Sequence, residues 1–285
     1  MQGSGRNGRL PIRFGVSLKK RVLSLRISRK ERTGRSESAE EWIYGANPLF
    51  EAIKAGRKIR EIFLSSQRHA KVQEIRREAA VRGIPIKIVE PAFLDNLFRK
   101  GHQGIAASVL PKQTLTLDEL LSIPVQKREI PFFLVLDCIE DPRNFGALVR
   151  VADAAGIHGI VIQSHRTVHL GADAAKVSAG ALEYVPVSIV VNIKHAIREM
   201  KERDIAVVGA EATAEHILWD VDLSMPLALV VGSEGKGLRH TVSALCDLHV
   251  RIPMAGRINS LNVSVAASLC AFEILRQRMK IIEKI

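Results

Sequence analysis

Three polar loops carry the residue types that chemistry needs. The first runs from Asp137 through Glu140-Asp141-Pro142-Arg143-Asn144 and leads towards Arg150. The second is Gly232-Ser233-Glu234-Gly235-Lys236-Gly237. The third spans Met254 to Asn262 and crowds Asn259, Ser260 and Asn262 at the start of a long apolar segment. Amides and hydroxyls at such a buried-looking junction must find partners, or a ligand must supply them. The glycine-rich loop invites a phosphate, yet it is not a Walker A loop. No Ser or Thr follows Lys236, and the spacing is wrong. It is not GxGxxG either, and it comes late, whereas the dinucleotide fingerprint opens the first βα turn. Three glycines in six residues still demand a tight turn or a close approach. Glu234 in the middle would repel phosphate and would suit a hydroxyl, an amine or an arginine. A bare tight turn is the plainer reading.

Metal and disulfide chemistry are poorly served. Cys138, Cys246 and Cys270 are far apart and form no CxxC, so they read as reduced core thiols. His165 and His169 have a four-residue spacing but lack the Glu of HExxH, and no metal is expected.

The elements that must position these loops follow from apolar periodicity. Residues 132–136, 157–163, 185–190, 205–209, 227–231 and 249–252 read as six buried strands. Helices at 145–155, 172–179, 193–201 and 238–245 separate them, which implies a mainly parallel sheet in an α/β fold. Ligands bind such sheets beyond the strand carboxyl ends, where all three loops fall. Pattern alone gives an open doubly wound sheet. A last helix follows, with Ser260 as expected N-cap and Leu261, Val265, Leu269, Phe272 and Leu275 as its apolar face. Phe272, Ile274, Leu275, Met279, Ile281 and Ile282 make it apolar on more than one face, which suits burial against a second subunit.

The expected organisation is an arm at 1–40, a small α/β domain at 41–110, a linker at 111–130 around a short helix at 117–121, and the large domain at 131–285. The small domain alternates strands and helices and carries a basic edge of Arg57, Lys58, Arg60, Arg68, His69 and Lys71. The chain has 285 residues, a net charge of +12 and 47% apolar residues, enough for a sizeable core. No apolar run approaches the ~18 residues of a membrane span, so a soluble, cytoplasmic protein is expected. Residues 1–36 hold eleven Lys/Arg against one acid, Glu31, and are expected to be disordered. This arm could bind nucleic-acid phosphates, be a solvated extension or a start upstream of the true Met, or be an organelle transit peptide.

Taken together the loops resemble a family. Residues 134–156, LVLDCIEDPRNFGALVRVADAAG, are similar to the first motif of the SpoU (TrmH) branch of the SPOUT RNA methyltransferases. LVVGSEGKGLR at 229–239 resembles the second motif, and IPMAGRINSLNVSVAASLC at 252–270 the third. Residues 42–110 resemble the family's L30e-like substrate-binding domain. The resemblance implies a SPOUT trefoil-knot domain in place of the open sheet, with the knot forming an S-adenosylmethionine pocket. Gly232, Ile252 and Leu261 would line that pocket, with Gly209, Ala210 and Met254 as neighbours. It further implies methyl transfer to a ribose 2′-hydroxyl and a homodimer. Arg150 and Asn144 match first-motif residues. A guanidinium holds its proton too firmly to be a general base, so Arg150 is expected to stabilise the oxyanion or grip phosphate. Glu234 and the RNA phosphate would be the candidates to orient or receive the proton, and Asn262 and Ser260 would position substrate or fix the loop. The closest branch in pattern, the RlmB-like one, modifies a guanosine of large-subunit (23S) rRNA; a tRNA substrate is the runner-up. A catalytically silent RNA-binding protein and a Rossmann-type oxidoreductase are the alternatives of other classes. The net positive charge suits an RNA partner.

Overall fold

A computed structural model of the chain describes residues 41–65, 71–98, 100–165, 167–257 and 260–282, apart from the side chains of 281 and 282. The basic arm, Arg68 and His69 of the basic edge, and Asn259 lie outside the described residues, as do the Ile281 and Ile282 side chains.

The first sheet is built from β1 (Glu41–Tyr44), β2 (Ile59–Leu64), β3 (Ile86–Ile88) and β4 (Ile105–Val109), in the order β1-β4-β2-β3. β4 pairs antiparallel with both β1 and β2, while β2 and β3 are parallel. Helices α1 (Ala46–Lys54), α2 (Val72–Val81) and α3 (Pro91–Phe98) connect the strands. The expected strand–helix alternation is present.

Residues 111–130 hold more structure than expected. α4 runs from Leu117 to Lys127, past Pro124, under a capping box in which Thr116 accepts from the Glu119 backbone and Glu119 accepts from the Thr116 backbone. Leu120 and Leu121 are buried in the apolar cluster with Phe133, Val135 and Val161. The helix expected at 117–121 thus continues past Pro124, whose missing N–H affects only the preceding turn, because the buried leucines hold it.

The second sheet comprises β5 (Phe132–Leu136), β6 (Gly159–Gln163), β7 (Val187–Val190), β8 (Ala206–Ala210), β9 (His216–Ile217), β10 (Leu227–Val231) and β11 (Leu248–Arg251). Its order is β7-β6-β5-β10-β8-β11-β9, and every pairing is parallel. The parallel sheet expected from the buried apolar runs is therefore present, with one strand more. β9 has two residues, too few to show any period. Helices α5 (Pro142–Ala154), α6 (Ala172–Val177), α7 (Ile193–Glu202), α8 (His240–Ser243) and α9 (Val263–Ile282) complete the layer arrangement. One apolar cluster runs from Ile43, Leu49 and Ile62 through Phe145 to Leu229 and Ile274, so the two sheets share a continuous core. Arg57 reinforces their junction by donating from Nη1 to both carboxylate oxygens of Glu183 at 3.0 Å.

α9 corrects two expectations. It begins at Val263, and Asn262 does the capping: its Oδ1 accepts from Ser264 N at 2.9 Å and its carbonyl accepts from Ala266 N at 3.0 Å. Ser260 is exposed, two residues upstream of that cap. Asn suits the position because its amide carries the acceptor for the helix on Oδ1 and donors on Nδ2 that reach Asn144, whereas a serine hydroxyl would hold both functions on one short-reaching oxygen. The buried face is also different. Val263, Ala267, Cys270, Ala271 and Ile274 face the core, whereas Val265, Leu269 and Phe272 are 47%, 40% and 47% exposed. Small residues let α9 pack closely on α5. Periodicity identified an apolar helix but could not say which apolar face was inside.

The end of α9 is fixed by a buried cation. Arg278 donates to the carbonyls of Ile130, Pro131 and Met225 at 3.0, 2.9 and 2.7 Å and lies 4.9 Å over the Phe132 ring. Burial pushes its guanidinium down to about 10, so it remains charged at neutral pH. Gln277 lies one residue earlier and bridges Val221 O and Leu223 N, binding α9 into the segment between β9 and β10.

Candidate active site

The carboxyl ends of β5 and β10 are neighbours, so the loops that leave them face one another. After β5, Cys138 turns the chain with φ at 60° and Asp141 caps α5, its Oδ1 accepting from Arg143 N at 2.7 Å. Pro142 occupies the first turn, where its missing N–H costs nothing. The helix thus presents Asn144 in its first turn. After β10, Gly232 enters a tight hairpin closed by Ser233 N to Gly237 O at 3.1 Å and Gly237 N to Ser233 O at 2.9 Å. A Cβ at Gly232 would meet the Gly237 carbonyl carbon at 2.1 Å, so no other residue fits without moving the loop. The glycines serve a turn, and the turn carries Glu234 outward.

Three side chains distant in sequence meet here. Asn144 Nδ2 donates to Glu234 Oε2 at 3.0 Å. Asn262 Nδ2 donates to Asn144 Oδ1 at 2.9 Å, and lies 3.4 Å from Glu234 Oε1. Each belongs to a different polar loop, and they are 28 to 118 residues apart. Asn262 couples this cluster to the helix it caps. A cavity of about 750 Å³ opens beside it, lined among others by Glu140, Asn144, Glu234, Lys236 and Arg239. That is room for a nucleotide-sized ligand, with both carboxylates and cations on its walls.

Of the other sequence candidates, Arg150 is exposed on α5, six residues after Asn144 and about 120° round the helix from it. It is not brought into the Asn144–Glu234–Asn262 cluster, and neither is Ser260. Gly209 and Ala210 end β8, Gly232 follows β10 and Ile252 follows β11; β10, β8 and β11 are adjacent, so these residues form one shelf of strand ends. Gly209 is needed there: a Cβ would lie 2.9 Å from the His249 ring and 3.0 Å from Leu238. Ile252 and Leu261 are half-buried and Met254 is 39% exposed. An apolar shelf at strand ends suits the adenine and ribose of a nucleoside cofactor.

The sequence reading missed Asp137 and Arg239 as partners. Asp137 is fully buried and holds Arg239 through backbone and guanidinium. The hint was an acid at a strand end in one loop and a basic residue closing another, with no way to know they meet. Burial holds the Cys246 and Cys270 thiols up at about 12, so neither is a thiolate nucleophile. Among the described residues, no group of three His, Cys, Asp or Glu side chains is arranged to hold a metal ion, and no helix is long and apolar enough to cross a membrane.

Comparison with known proteins adds to this geometry. Residues 131–272 match the SpoU rRNA Methylase family, and residues 42–115 match a family described as RNA 2′-O ribose methyltransferase substrate binding. The chain is 42% identical over 239 residues to a putative TrmH family tRNA/rRNA methyltransferase, YacO, of Bacillus subtilis, covering 84% of this chain and 96% of that protein. It is similar in structure to the SpoU methyltransferase AviRb from Streptomyces viridochromogenes in complex with AdoMet, with a TM-score of 0.72 and 27% identity over 88% of this chain and 95% of that one. A solved RNA 2′-O ribose methyltransferase aligns with a TM-score of 0.71 and 27% identity, covering 87% of this chain and 93% of that chain.

Proposed function

The chain belongs to the SpoU family of RNA methyltransferases, and from that premise we propose that it methylates a ribose 2′-hydroxyl, on a guanosine of large-subunit rRNA. The cofactor is S-adenosylmethionine, whose sulfonium makes its methyl group electrophilic. The protein must then align the attacking oxygen and manage its proton. The observation that carries the reading is the Asn144–Glu234–Asn262 cluster, in which all three polar loops converge at hydrogen-bonding distance.

Glu234, held by two amide donors, accepts from the ribose hydroxyl and draws off its proton. Asn144 and Asn262 fix the carboxylate's orientation, so no reorganisation is needed as charge develops. Arg150 stabilises the forming oxyanion or grips an adjacent phosphate; its exposed place on α5 suits the second task. Ser260, exposed and two residues before Asn262, positions substrate. Gly209, Ala210, Gly232, Ile252, Met254 and Leu261 hold the cofactor on the shelf of strand ends. Residues 131–285 would carry out the transfer, and residues 41–110, in an L30e-like fold, would hold the RNA; the linker is 111–130. Gln277 ties α9 to the segment between β9 and β10, and that tether supports reading the chain from β11 onward as the threaded end of a trefoil knot. The exposed stripe Val265, Leu269, Phe272 supports a homodimer. A cytoplasmic location fits an rRNA substrate.

The preference for rRNA guanosine rests on the likeness of the L30e-like domain together with the third-motif stretch to that branch, and the net charge of +12 suits a polyanion. Ribose-methylation mapping of total RNA from cells lacking the protein tests it. Loss at one large-subunit rRNA guanosine is expected. A change confined to tRNA would overturn the rRNA assignment.

A further inference from the structure

Asp137 ends β5 with its carboxylate 0% exposed, and a buried carboxylate persists only when fully partnered. Its Oδ2 accepts from Arg239 N at 2.9 Å and its Oδ1 from Arg239 Nε at 2.7 Å. The remaining reach of that guanidinium goes to Gln163 Oε1 at 2.9 Å, at the end of β6. Asp137 N in turn donates to Val231 O at 2.9 Å, at the end of β10. Three adjacent strand ends, β6, β5 and β10, are thereby laced through one ion pair. The Asp137 carboxylate also holds the Arg239 proton more firmly than usual.

The pair sits at the roots of both loops that meet in the candidate site. Asp137 precedes Cys138, whose left-handed φ of 60° aims the chain at Asn144. Arg239 follows the hairpin that carries Glu234. The hairpin is closed at its base by the Ser233–Gly237 pair, so tethering Arg239 fixes its second end as well. Neither loop needs this ion pair to fold locally, since the cap of α5 and the hairpin bonds are separate. What the pair adds is the register of one loop against the other.

We propose that Asp137 and Arg239 are positioning residues for methyl transfer, setting Glu234 against Asn144 before RNA arrives. This rests on the function proposed above. The guanidinium contacts Asp137 and Gln163, and its role is exerted through the loop.

The test gives wild-type, Arg239→Ala, Arg239→Lys and the double variant Asp137→Asn/Arg239→Gln tritiated S-adenosylmethionine and total RNA from cells lacking the protein. Thermal midpoints and cofactor Kd are measured alongside. Arg239→Ala strands a buried carboxylate, so it lowers both midpoint and kcat. The double variant removes that charge and recovers the midpoint, but its kcat stays down by about 100-fold, the scale of a 1 Å misplacement. Arg239→Lys restores charge without the fork and recovers part of kcat. Cofactor Kd moves by less than about threefold, because the pair bonds to the ends of β6, β5 and β10 and leaves the β8 and β11 ends of the shelf unchanged. A double variant with wild-type kcat overturns the inference and leaves a purely structural pair. A rise in KM for RNA with kcat unchanged overturns it too, by making Arg239 an RNA contact. Wild-type enzyme that methylates no RNA would sink the proposed function, and the inference with it.

Discussion

Asn262 has two separable tasks, and substitution there pulls them apart. Its Oδ1 caps α9 through Ser264 N at 2.9 Å and Ser264 Oγ at 2.6 Å. Its Nδ2 serves the site through Asn144 at 2.9 Å and Glu234 at 3.4 Å. Asn262→Ala loses both. The cap is worth about 1 kcal/mol, which lowers the thermal midpoint by about 3 °C in a chain of this size. The two donor bonds, one of them long and partly solvent-screened, are together worth about 2 kcal/mol, or about 30-fold in kcat. Asn262→Asp keeps the cap and adds a negative charge at the helix N-terminus, where it is favourable. It also turns a carboxylate towards Glu234 in place of a donor. Its midpoint falls only by what the new repulsion from Glu234 costs, since the cap is kept, while kcat falls at least as far as in the Ala variant. The assay is scanning calorimetry beside tritium transfer from S-adenosylmethionine to RNA. An Asp variant with wild-type kcat would refute the reasoning, because the donor would then be dispensable. An Ala variant whose activity loss tracks its unfolding would refute it from the other side.

Further substitutions probe the surrounding structure. Gly232→Ala places a Cβ 2.3 Å from Leu238 N, so the hairpin must shift; cofactor affinity should fall by about tenfold by calorimetry, and an unchanged Kd would remove Gly232 from the pocket. Arg278→Leu orphans three carbonyls around α9 and should cost about 3 kcal/mol in urea denaturation, with an effect below about 1 kcal/mol contradicting the role given to that cation. His158 is buried, accepts from Phe132 N at Nδ1 and contacts Glu129 through Nε2, and burial lowers its pKa in the folded state. Its stability contribution is therefore full above the unfolded value of about 6.5 and is lost as pH falls towards the lowered native value. Urea midpoints at pH 7.5 and 5.5 should differ more for wild type than for His158→Gln. Phe272→Glu charges the exposed apolar stripe assigned to the proposed homodimer and should yield monomers in sedimentation where the wild type gives dimers; a monomeric wild type, or a variant still dimeric, would contradict that contact.

Strand positions in the large sheet were legible because buried parallel strands read as continuous apolar runs, and Phe132–Leu136 and Leu227–Val231 carry no polar residue. The start of α5 was signalled by Asp141 and Pro142, yet attention to the apolar period set it three residues late, at Phe145. α9 was legible as a helix but not as to its buried face, since Val265 and Ala267 are equally apolar by type and only packing against α5 prefers the smaller one. The site was readable as three loops beyond strand ends. That Asn144, Glu234 and Asn262 touch was not, because local pattern says nothing of contacts 90 and 118 residues apart. Asp137 and Arg239 escaped for the same reason. An acid after a strand gives no hint of burial until its partner is placed.

The central claim is that Glu234, set by Asn144 and Asn262, serves transfer of a methyl group to a ribose 2′-oxygen. RNA labelled with tritium from S-adenosylmethionine by the purified protein can be hydrolysed in alkali, which needs a free 2′-hydroxyl at each cleaved position. The label should appear in alkali-resistant dinucleotides, and Glu234→Gln should abolish it while leaving cofactor binding intact. Label released in mononucleotides would mean base methylation, and would contradict the assignment of this site to ribose chemistry.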